Sequence, residues 1–294
     1  MLCLDKSNSV VCRPALPKDT EQVIELCSHI WDGGDYIPKV WDDWLSDPDG
    51  LLGVAELSGR VAGVFKLTKF QDNEWYMEGL RVHPDFQGIG IASHIHEYIV
   101  ETWRRMGTGT IRLVTASYNV KVHWMCEQTG FERIAEFIPY RASALQAGSN
   151  NFTLVKIDEA QRVLNFVADS PTHALSAGLI NLGWVYATPQ LKHLQEAIGS
   201  IHAWEWRGDA GFLSIWEDEE GEEREPGIQL IACSLRDLQE LLMDYRKLMG
   251  DLGYKSAGWV APNQPEVIIW LDGTGYKRTW DKSLYVYELK SDED

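Results

Sequence analysis

The stretch from Tyr76 to Ser93 gathers the residues best suited to chemistry: Tyr-Met-Glu-Gly-Leu-Arg-Val-His-Pro-Asp-Phe-Gln-Gly-Ile-Gly-Ile-Ala-Ser. A strand pattern ending at Val82 runs into a turn bearing Gly88 and Gly90, and an apolar helical periodicity follows. The first amides of a helix lack intrahelical partners, and with the helix dipole they form a site for a pyrophosphate. Gly88 and Gly90 let the backbone come close to such a ligand. No lysine follows the second glycine, so this is not a Walker A loop. Position 93 is Ser and no ribose-binding acid is placed about 20 residues on, so it is not the dinucleotide fingerprint either. Taken alone, a two-glycine turn is equally an ordinary strand-to-helix connection.

The elements around this stretch alternate. Val10 to Arg13 reads as a short strand, and Asp19 as the cap of a helix over 20–30. A hairpin over 51–56 and 61–68 turns at Ser58-Gly59, and Trp75 to Val82 is a long strand. Ala92, Ile95, Ile99, Trp103 and Met106 mark one helix face. A strand over 111–116, a helix over 119–129 stopped by Gly130, and a strand over 131–139 complete the first half. The small, polar run from Arg141 to Asn151 reads as a linker. The second half repeats the order: a strand at 152–157, a helix to about 168, a hairpin over 203–206 and 211–216, and a strand at 227–234. Leu238, Leu241, Leu242, Tyr245, Leu248, Met249 and Leu252 then form a helical stripe. A strand at 256–261, a short helix at 265–271 and a final hairpin over 276–289 close the chain.

Gln87-x-x-Gly90-x-Ala92, after a strand ending Val82-His83-Pro84, resembles the Q/R-x-x-G-x-G/A motif of the GNAT superfamily of N-acetyltransferases. Asn119 through Gly130-Phe131 is similar to that family's later helix in the spacing of Asn, Gly and Phe. The resemblance covers about residues 9–140. It implies an α/β (α+β) fold of two tandem GNAT-like domains, each a mixed, mainly antiparallel sheet flanked by helices. The expected domains are 1–145, which binds acetyl-CoA, and 150–294, a degenerate copy. Acetyl-CoA would be the co-substrate, with no metal. The family pattern gives Leu80, Arg81 and Val82 the pantetheine and the thioester carbonyl. It gives Gln87, Gly88, Ile89, Gly90, Ile91 and Ala92 the pyrophosphate, and turns Asn119 toward the pantetheine arm.

Transfer to an amine needs a base, because an alkylammonium has a pKa near ~10 and must lose a proton before it attacks. Glu78 is the candidate, acting directly or through a water. Strict alternation puts it on the face of Leu80 and Val82. A solvated or ion-paired strand carboxylate is the alternative. His83, just before Pro84, reads as a surface turn residue. The family often protonates the leaving thiolate with a Tyr four residues before the Gly of the later helix. Here Cys126 stands at that position. It is either a donor or a small buried residue, with Tyr118, Tyr140 and His123 as other donors.

Residues 31–49 occupy the segment that lines the acceptor site in this fold. They mix Trp31, Tyr36, Trp41 and Trp44 with Asp32, Asp35, Asp42 and Asp43, a pattern suited to an amine or cationic ring. Trp41 and Trp44, at i and i+3, read as a core-facing pair. Trp31, Asp35 and Tyr36 are the pocket candidates. Gly34-Asp35-Tyr36-Ile37-Pro38, Trp44, Asp47-Pro48 and Glu78-Gly79-Leu80-Arg81-Val82 resemble the histidine N-acetyltransferase branch. That likeness implies a free amino acid or a similar small amine. A non-catalytic acyl-CoA sensor and a protein or peptide N-acetyltransferase are the alternatives.

The second half has no glycine turn between its strand at 227–234 and the helix that follows. It is expected to play a structural, dimerising or pocket-closing part and to bind no CoA. A fragment ending near residue 147 is then expected to keep the cofactor site.

Composition bounds the rest. The 294 residues carry 27 Lys+Arg against 44 Asp+Glu, a net charge of −17. That argues against nucleic acid and anionic membrane surfaces as partners. No apolar run reaches the ~18 residues of a membrane span, and Met1 to Val11 lacks the apolar core of a signal peptide. The five cysteines, at 3, 12, 27, 126 and 233, are odd in number and show no CxxC spacing. Disulfides and a zinc site are not expected, and a cytoplasmic location is. The acidic run from Glu217 to Glu225 reads as a solvated hairpin tip, and Ser291 to Asp294 as a frayed tail.

Overall fold

A computed structural model of the chain describes residues 10–71, 73–146, 150–218 and 225–291. The N-terminal segment with Cys3, most of the acidic run and the last three residues lie outside these. The first half forms β1 (Val11–Pro14), α1 (Thr20–Ser28), α2 (Ile37–Ser46), β2 (Leu51–Leu57), β3 (Arg60–Gln71), β4 (Glu74–Val82), α3 (Ile91–Met106), β5 (Thr110–Ala116), α4 (Val120–Thr129) and β6 (Glu132–Ser143). The second half forms β7 (Phe152–Leu154), α5 (Ala160–Ala168), α6 (Pro171–Ala174), β8 (Ile180–Asn181), β9 (Tyr186–Ala187), α7 (Leu191–Gly199), β10 (Ala203–Trp206), β11 (Gly211–Asp218) and β12 (Glu225–Cys233). It continues with α8 (Leu238–Asp251), β13 (Ser256–Pro262), α9 (Pro265–Gly273), β14 (Lys277–Arg278) and β15 (Leu284–Lys290). Among the described residues no helix is long and apolar enough to cross a membrane.

Two compact units divide these elements, and no single cut in the chain separates them. The first holds Met1–Leu113, Lys121–Glu132 and Glu288–Asp294; the second holds Val114–Val120 and Arg133–Tyr287. Strand β6, read as the end of the first half, thus lies in the second unit from Arg133 on. Its last residues, Arg141 to Ser143, pair with β13 and are not linker.

In the first unit β1, β2, β3 and β4 form an antiparallel series. The β2–β3 hairpin turns at Ser58 (φ 53°) and Gly59 (φ 79°), the left-handed pair that a tight hairpin requires. One face of the sheet packs on α1 and α2 through Val23, Leu26, Ile37, Trp41, Val54 and Val64. The apolar stripe of α3 is buried at Ile95, Ile99 and Trp103, whereas Met106, on the last turn, is 53% exposed. Asp19 does not cap α1 with its side chain. Its carboxylate accepts two bonds from Arg13 (2.7 and 2.8 Å) and one from the Leu16 amide (2.8 Å), which ties β1 to the helix entry.

The last strand contributes to this unit. Arg112, buried on β5, pairs with Glu74 of β4 and donates to Glu288 at 2.7 Å. Ser291 and Gly109 exchange bonds of 2.8 and 2.9 Å.

In the second unit the order is β15-β6-β13-β12-β11-β10-β7, and β14 pairs with β6. The expected 276–289 hairpin therefore does not form, since β14 and β15 do not pair with each other. The stripe of α8 packs as the periodicity predicts from Leu238 to Met249, but Leu252 ends 48% exposed. Residues 169–202, which show no long period, form α6, the β8–β9 hairpin and α7.

Candidate active site

Strand β4 runs through the candidate site of the first unit. It pairs in parallel with β5 only at Glu74–Thr110, Trp75–Ile111 and Tyr76–Arg112, and then runs on to Val82 with that edge open. On its other side it is antiparallel to β3, with Glu78 opposite Lys66 and Arg81 opposite Val64. Three steps on β4 therefore match two on β3, which is a β-bulge. It falls at Gly79, whose φ is +64°. A Cβ on Gly79 would lie 2.8 Å from the Trp44 ring, so both conformation and close approach require glycine.

The bulge changes which residues share a face. Alternation alone puts Glu78 with Leu80 and Val82. With one extra residue inserted, Glu78 lies with Arg81 on the side of α1 and α2, and Leu80 and Val82 keep to the α3 side. Two contacts support this assignment. A Cβ on Gly63, opposite Val82, would meet Ile95 of α3, and Arg81 reaches Asp35 just before α2.

Glu78 is mostly buried, and burial raises its pKa. The hydroxyl of Thr68 donates to its carboxylate, and the ammonium of Lys66 offsets part of the shift. Lys66 is fully buried, pairs with Asp47 and donates to Leu67 O at 3.2 Å. A carboxyl whose pKa rises toward neutrality is a better proton acceptor than an ordinary one.

The residues read as acceptor-facing converge on Arg81. Asp35 is buried, and its two oxygens take Arg81 Nε at 2.9 Å and an Nη at 3.3 Å. Arg81 also lies over Trp31 at 4.5 Å and Tyr36 at 5.5 Å. Tyr36 meets Trp44 edge-on at 5.9 Å, and burial together with the nearby Glu78 charge pushes its hydroxyl up to about 12. Trp41 is core, with its Nε1 donating to Thr20 at 2.9 Å. Trp44 is half-buried against the same core, and its ring also covers Gly79 beside Tyr36. Lys66 and Thr68 are the members that sequence reasoning missed, while Asp47 and Trp44 entered it only through the histidine N-acetyltransferase likeness. The alternation of Lys66 and Thr68 on the strand before Glu78 was the available signal.

Beyond Val82 the chain makes the glycine turn. Gly88 (φ +81°) and Gly90 (φ +93°) are left-handed and exposed, and a Cβ on either would meet nothing within 4 Å. Gly90 is the N-cap of α3. Its carbonyl takes His94 N–H at 3.1 Å, so the amides of Gly88 to Ala92 precede the first helical bond. Gln87 donates to Val82 O at 3.2 Å. Ile89 is exposed at the tip, whereas Ile91 is buried and anchors the helix.

His83 is not a surface residue: it is 4% exposed and reaches Glu25 at 3.4 Å. Its Nδ1 accepts the Asp85 amide at 3.1 Å, which leaves the ring proton on Nε2, facing Glu25. Glu25, His29 and His83 converge, each offering one ligand atom within 4.8 Å of the others, a grouping that could hold a metal ion.

Cys126 on α4 is fully buried, and burial pushes its thiol up to about 12. Asn119, which the contacts place in the second unit, donates to Thr115 Oγ1 at 3.2 Å.

In the second unit, β12 and β13 are parallel and pair only at Gly227–Gly258. The end of β12 is closed. Ser170 and Thr172 both donate to Cys233 O, at 3.2 and 2.8 Å, and Cys233 N–H donates to Ser170 at 3.0 Å.

Residues 20–131 match the model of the acetyltransferase (GNAT) family. Over 88 residues, 30% of this chain, the sequence is 28% identical to histidine N-acetyltransferase of Xenopus tropicalis, and the match covers 27% of that protein. The chain thus spans about a quarter of the length of this curated relative. In fold it is similar to a GCN5-related N-acetyltransferase from Sphaerobacter thermophilus (TM-score 0.65, 11% identity, 97% of this chain and 96% of that one). It is also similar to a tandem GNAT protein from the clavulanic acid biosynthesis pathway (TM-score 0.58, 13% identity, 97% and 100%). A bulged strand, an open edge and a two-glycine helix entry lie within the region that matches the acetyltransferase (GNAT) family, and the chain as a whole has the fold of tandem GNAT proteins.

Proposed function

We propose that the first unit transfers the acetyl group of acetyl-CoA directly to the primary amine of a small molecule. One observation carries this reading: the same strand bears the buried Glu78, bulges at Gly79 and ends in the Gly88/Gly90 turn at the start of α3. In this reading the amides of Gly88 to Ala92 and the α3 dipole hold the pyrophosphate. The open edge of β4 at Leu80, Arg81 and Val82 holds the pantetheine arm. The disrupted ladder at the bulge supplies an amide to the thioester carbonyl as negative charge develops there.

Glu78 takes the proton of the acceptor ammonium. The freed nitrogen lone pair attacks the carbonyl carbon, the attacking nitrogen gives up its second proton to solvent, the C–S bond breaks, and the thiolate leaves with the bonding pair. That thiolate is protonated by solvent. Cys126 is a poor donor, since its thiol, at about 12, is a weaker acid than an alkylthiol of pKa ~8.5. Asp35 serves through Arg81, which it holds under Trp31 and Tyr36 as one wall of the acceptor side.

The acceptor we infer is a free amino acid, histidine being the first to try, on the strength of the partial likeness to histidine N-acetyltransferase. Thiol release from acetyl-CoA is measured with free amino acids, polyamines, aminoglycosides and peptides. Turnover with a free amino acid is expected. Turnover on peptides alone would replace the acceptor class, and tight acetyl-CoA binding without turnover on any amine would make the unit a sensor.

A further inference from the structure

The second unit contains a cavity of ≈ 160 Å³ on the sheet face beneath the β8–β9 hairpin. Its floor is bare backbone. Trp216, Gly227, Gly258 and Arg141 face one another across four adjacent strands, and the two glycines keep the middle of that row empty. A Cβ on Gly227 would lie 2.8 Å from the Trp216 indole, and one on Gly258 would lie 2.7 Å from Pro226 O. The glycines therefore let the Trp216 ring lie across β12 as a wall. Trp184 and Tyr186, from the hairpin, supply further wall. Trp184 is held at φ +64°, an unusual conformation for a bulky residue.

Two residues that line this cavity carry a buried donor without a partner among the described residues. Tyr186 is 1% exposed, and among the described residues its hydroxyl finds no hydrogen-bond partner; the Trp216 Nε1–H, also buried, finds none among them either. Stacking of Tyr186 on Phe137 (4.4 Å between centroids, 23° between planes) fixes the phenol ring. A buried polar group left unpaired is costly, and in native folds it commonly marks a ligand or a water. At the rim Arg141 pairs with Glu225 at 2.7 Å and donates to Ser256 at 2.9 Å. The interior thus offers aromatic faces, donors in want of acceptors, and a guanidinium at the edge.

We propose that this cavity binds a small flat carboxylic acid of about the size of benzoate. The volume fits, since a cavity on the order of 150 Å³ holds a benzene ring. The chemistry fits, since one carboxylate presents two acceptor oxygens to the two unpaired donors, while the ring lies among indole and phenol faces. An amine of the same shape brings donors to donors and is rejected. This inference is independent of the acetyl-transfer reading, because every residue in it belongs to the second unit.

Calorimetry on the full chain uses benzoate, nicotinate and, as the cationic counterpart, benzylamine. The two acids bind and benzylamine does not. Tyr186→Phe weakens benzoate by about tenfold or more, the loss of one charge-assisted hydrogen bond, while the melting temperature without ligand stays level or rises because an unpaired buried hydroxyl is gone. Trp216→Phe weakens benzoate likewise. Failure of both acids to bind at millimolar concentration means that water alone fills the cavity, and this overturns the proposal. Equal binding of benzylamine overturns the ligand class, and a Tyr186→Phe variant that melts lower with unchanged benzoate affinity makes the tyrosine structural.

Discussion

In the proposed reaction Glu78 joins function and stability in one side chain with opposite signs. Its pKa is raised by burial, so the folded chain holds the proton more tightly than the unfolded chain does. Its contribution to stability is whole below the unfolded pKa and is lost as pH rises through the folded pKa. At neutral pH Glu78→Gln should therefore melt higher than wild type while turnover falls by ~10²–10⁴-fold, with part of the rate returning at high pH where the amine loses its own proton. Thermal melts and a pH–rate profile decide it, and a variant with the wild-type profile would leave Glu78 a structural carboxyl. The Asp35–Arg81 pair makes a second prediction. Asp35 is buried and Arg81 nearly so, so Arg81→Leu leaves an uncompensated carboxylate and should cost about 3–5 kcal/mol. The double variant with Asp35→Leu should recover much of that in urea denaturation, and no recovery would mean that the pair is not the cause.

At the scale of elements, the proposed pyrophosphate turn depends on backbone conformation. Neither Gly88 nor Gly90 is crowded, so a side chain there would clash with no neighbouring protein atom. Any other residue is strained at these φ values, and a carboxylate would repel the phosphates. Gly90→Asp should thus abolish acetyl-CoA binding by calorimetry while the far-UV circular dichroism is kept. Unchanged affinity would remove the cofactor assignment. This turn was legible in the sequence because its signal is local: two glycines, a preceding strand and a following apolar period. The bulge in β4 was not, because Gly79 inside a strand pattern gives no indication of how many residues on β3 oppose it. Only the pairing register moves Glu78 from the face of Leu80 to that of Arg81. Asp19 shows the same limit, since an acid before a helix is read as a cap until Arg13 on a strand is found to occupy it.

For the whole molecule, the closing residues matter most. Because Glu288, Leu289 and Ser291 belong to the first unit, a fragment ending near residue 147 lacks part of the unit that carries the proposed cofactor site. Against the expectation from sequence, that fragment should fail to show a cooperative thermal transition and should not bind acetyl-CoA. In the full chain, Glu288→Gln should cost about 1.5–3 kcal/mol, the range for a hydrogen bond to a charged group. A fragment that melts cooperatively and binds with full-chain affinity would contradict this. The full chain should bind one acetyl-CoA, because Ser170 and Thr172 already occupy the backbone groups of Cys233 where β12 ends. A calorimetric stoichiometry near two would show that this junction opens.

The sequence by itself determined the local features: the order of most strands and helices, the apolar stripes of α3 and α8, the glycine turn and its missing counterpart in the second half. These follow from periods of two and 3.6 residues and from conformations that only glycine adopts readily. The tertiary structure alone decided what depends on partners far apart in the chain. It set the faces of β4 through the register with β3, engaged Asp35 with Arg81, buried Cys126 and His83, and assigned the last strand's end to the first unit. The hydrogen bonds between strands come from backbone groups that every residue carries, so a sequence marks where a strand runs but not which strand lies beside it.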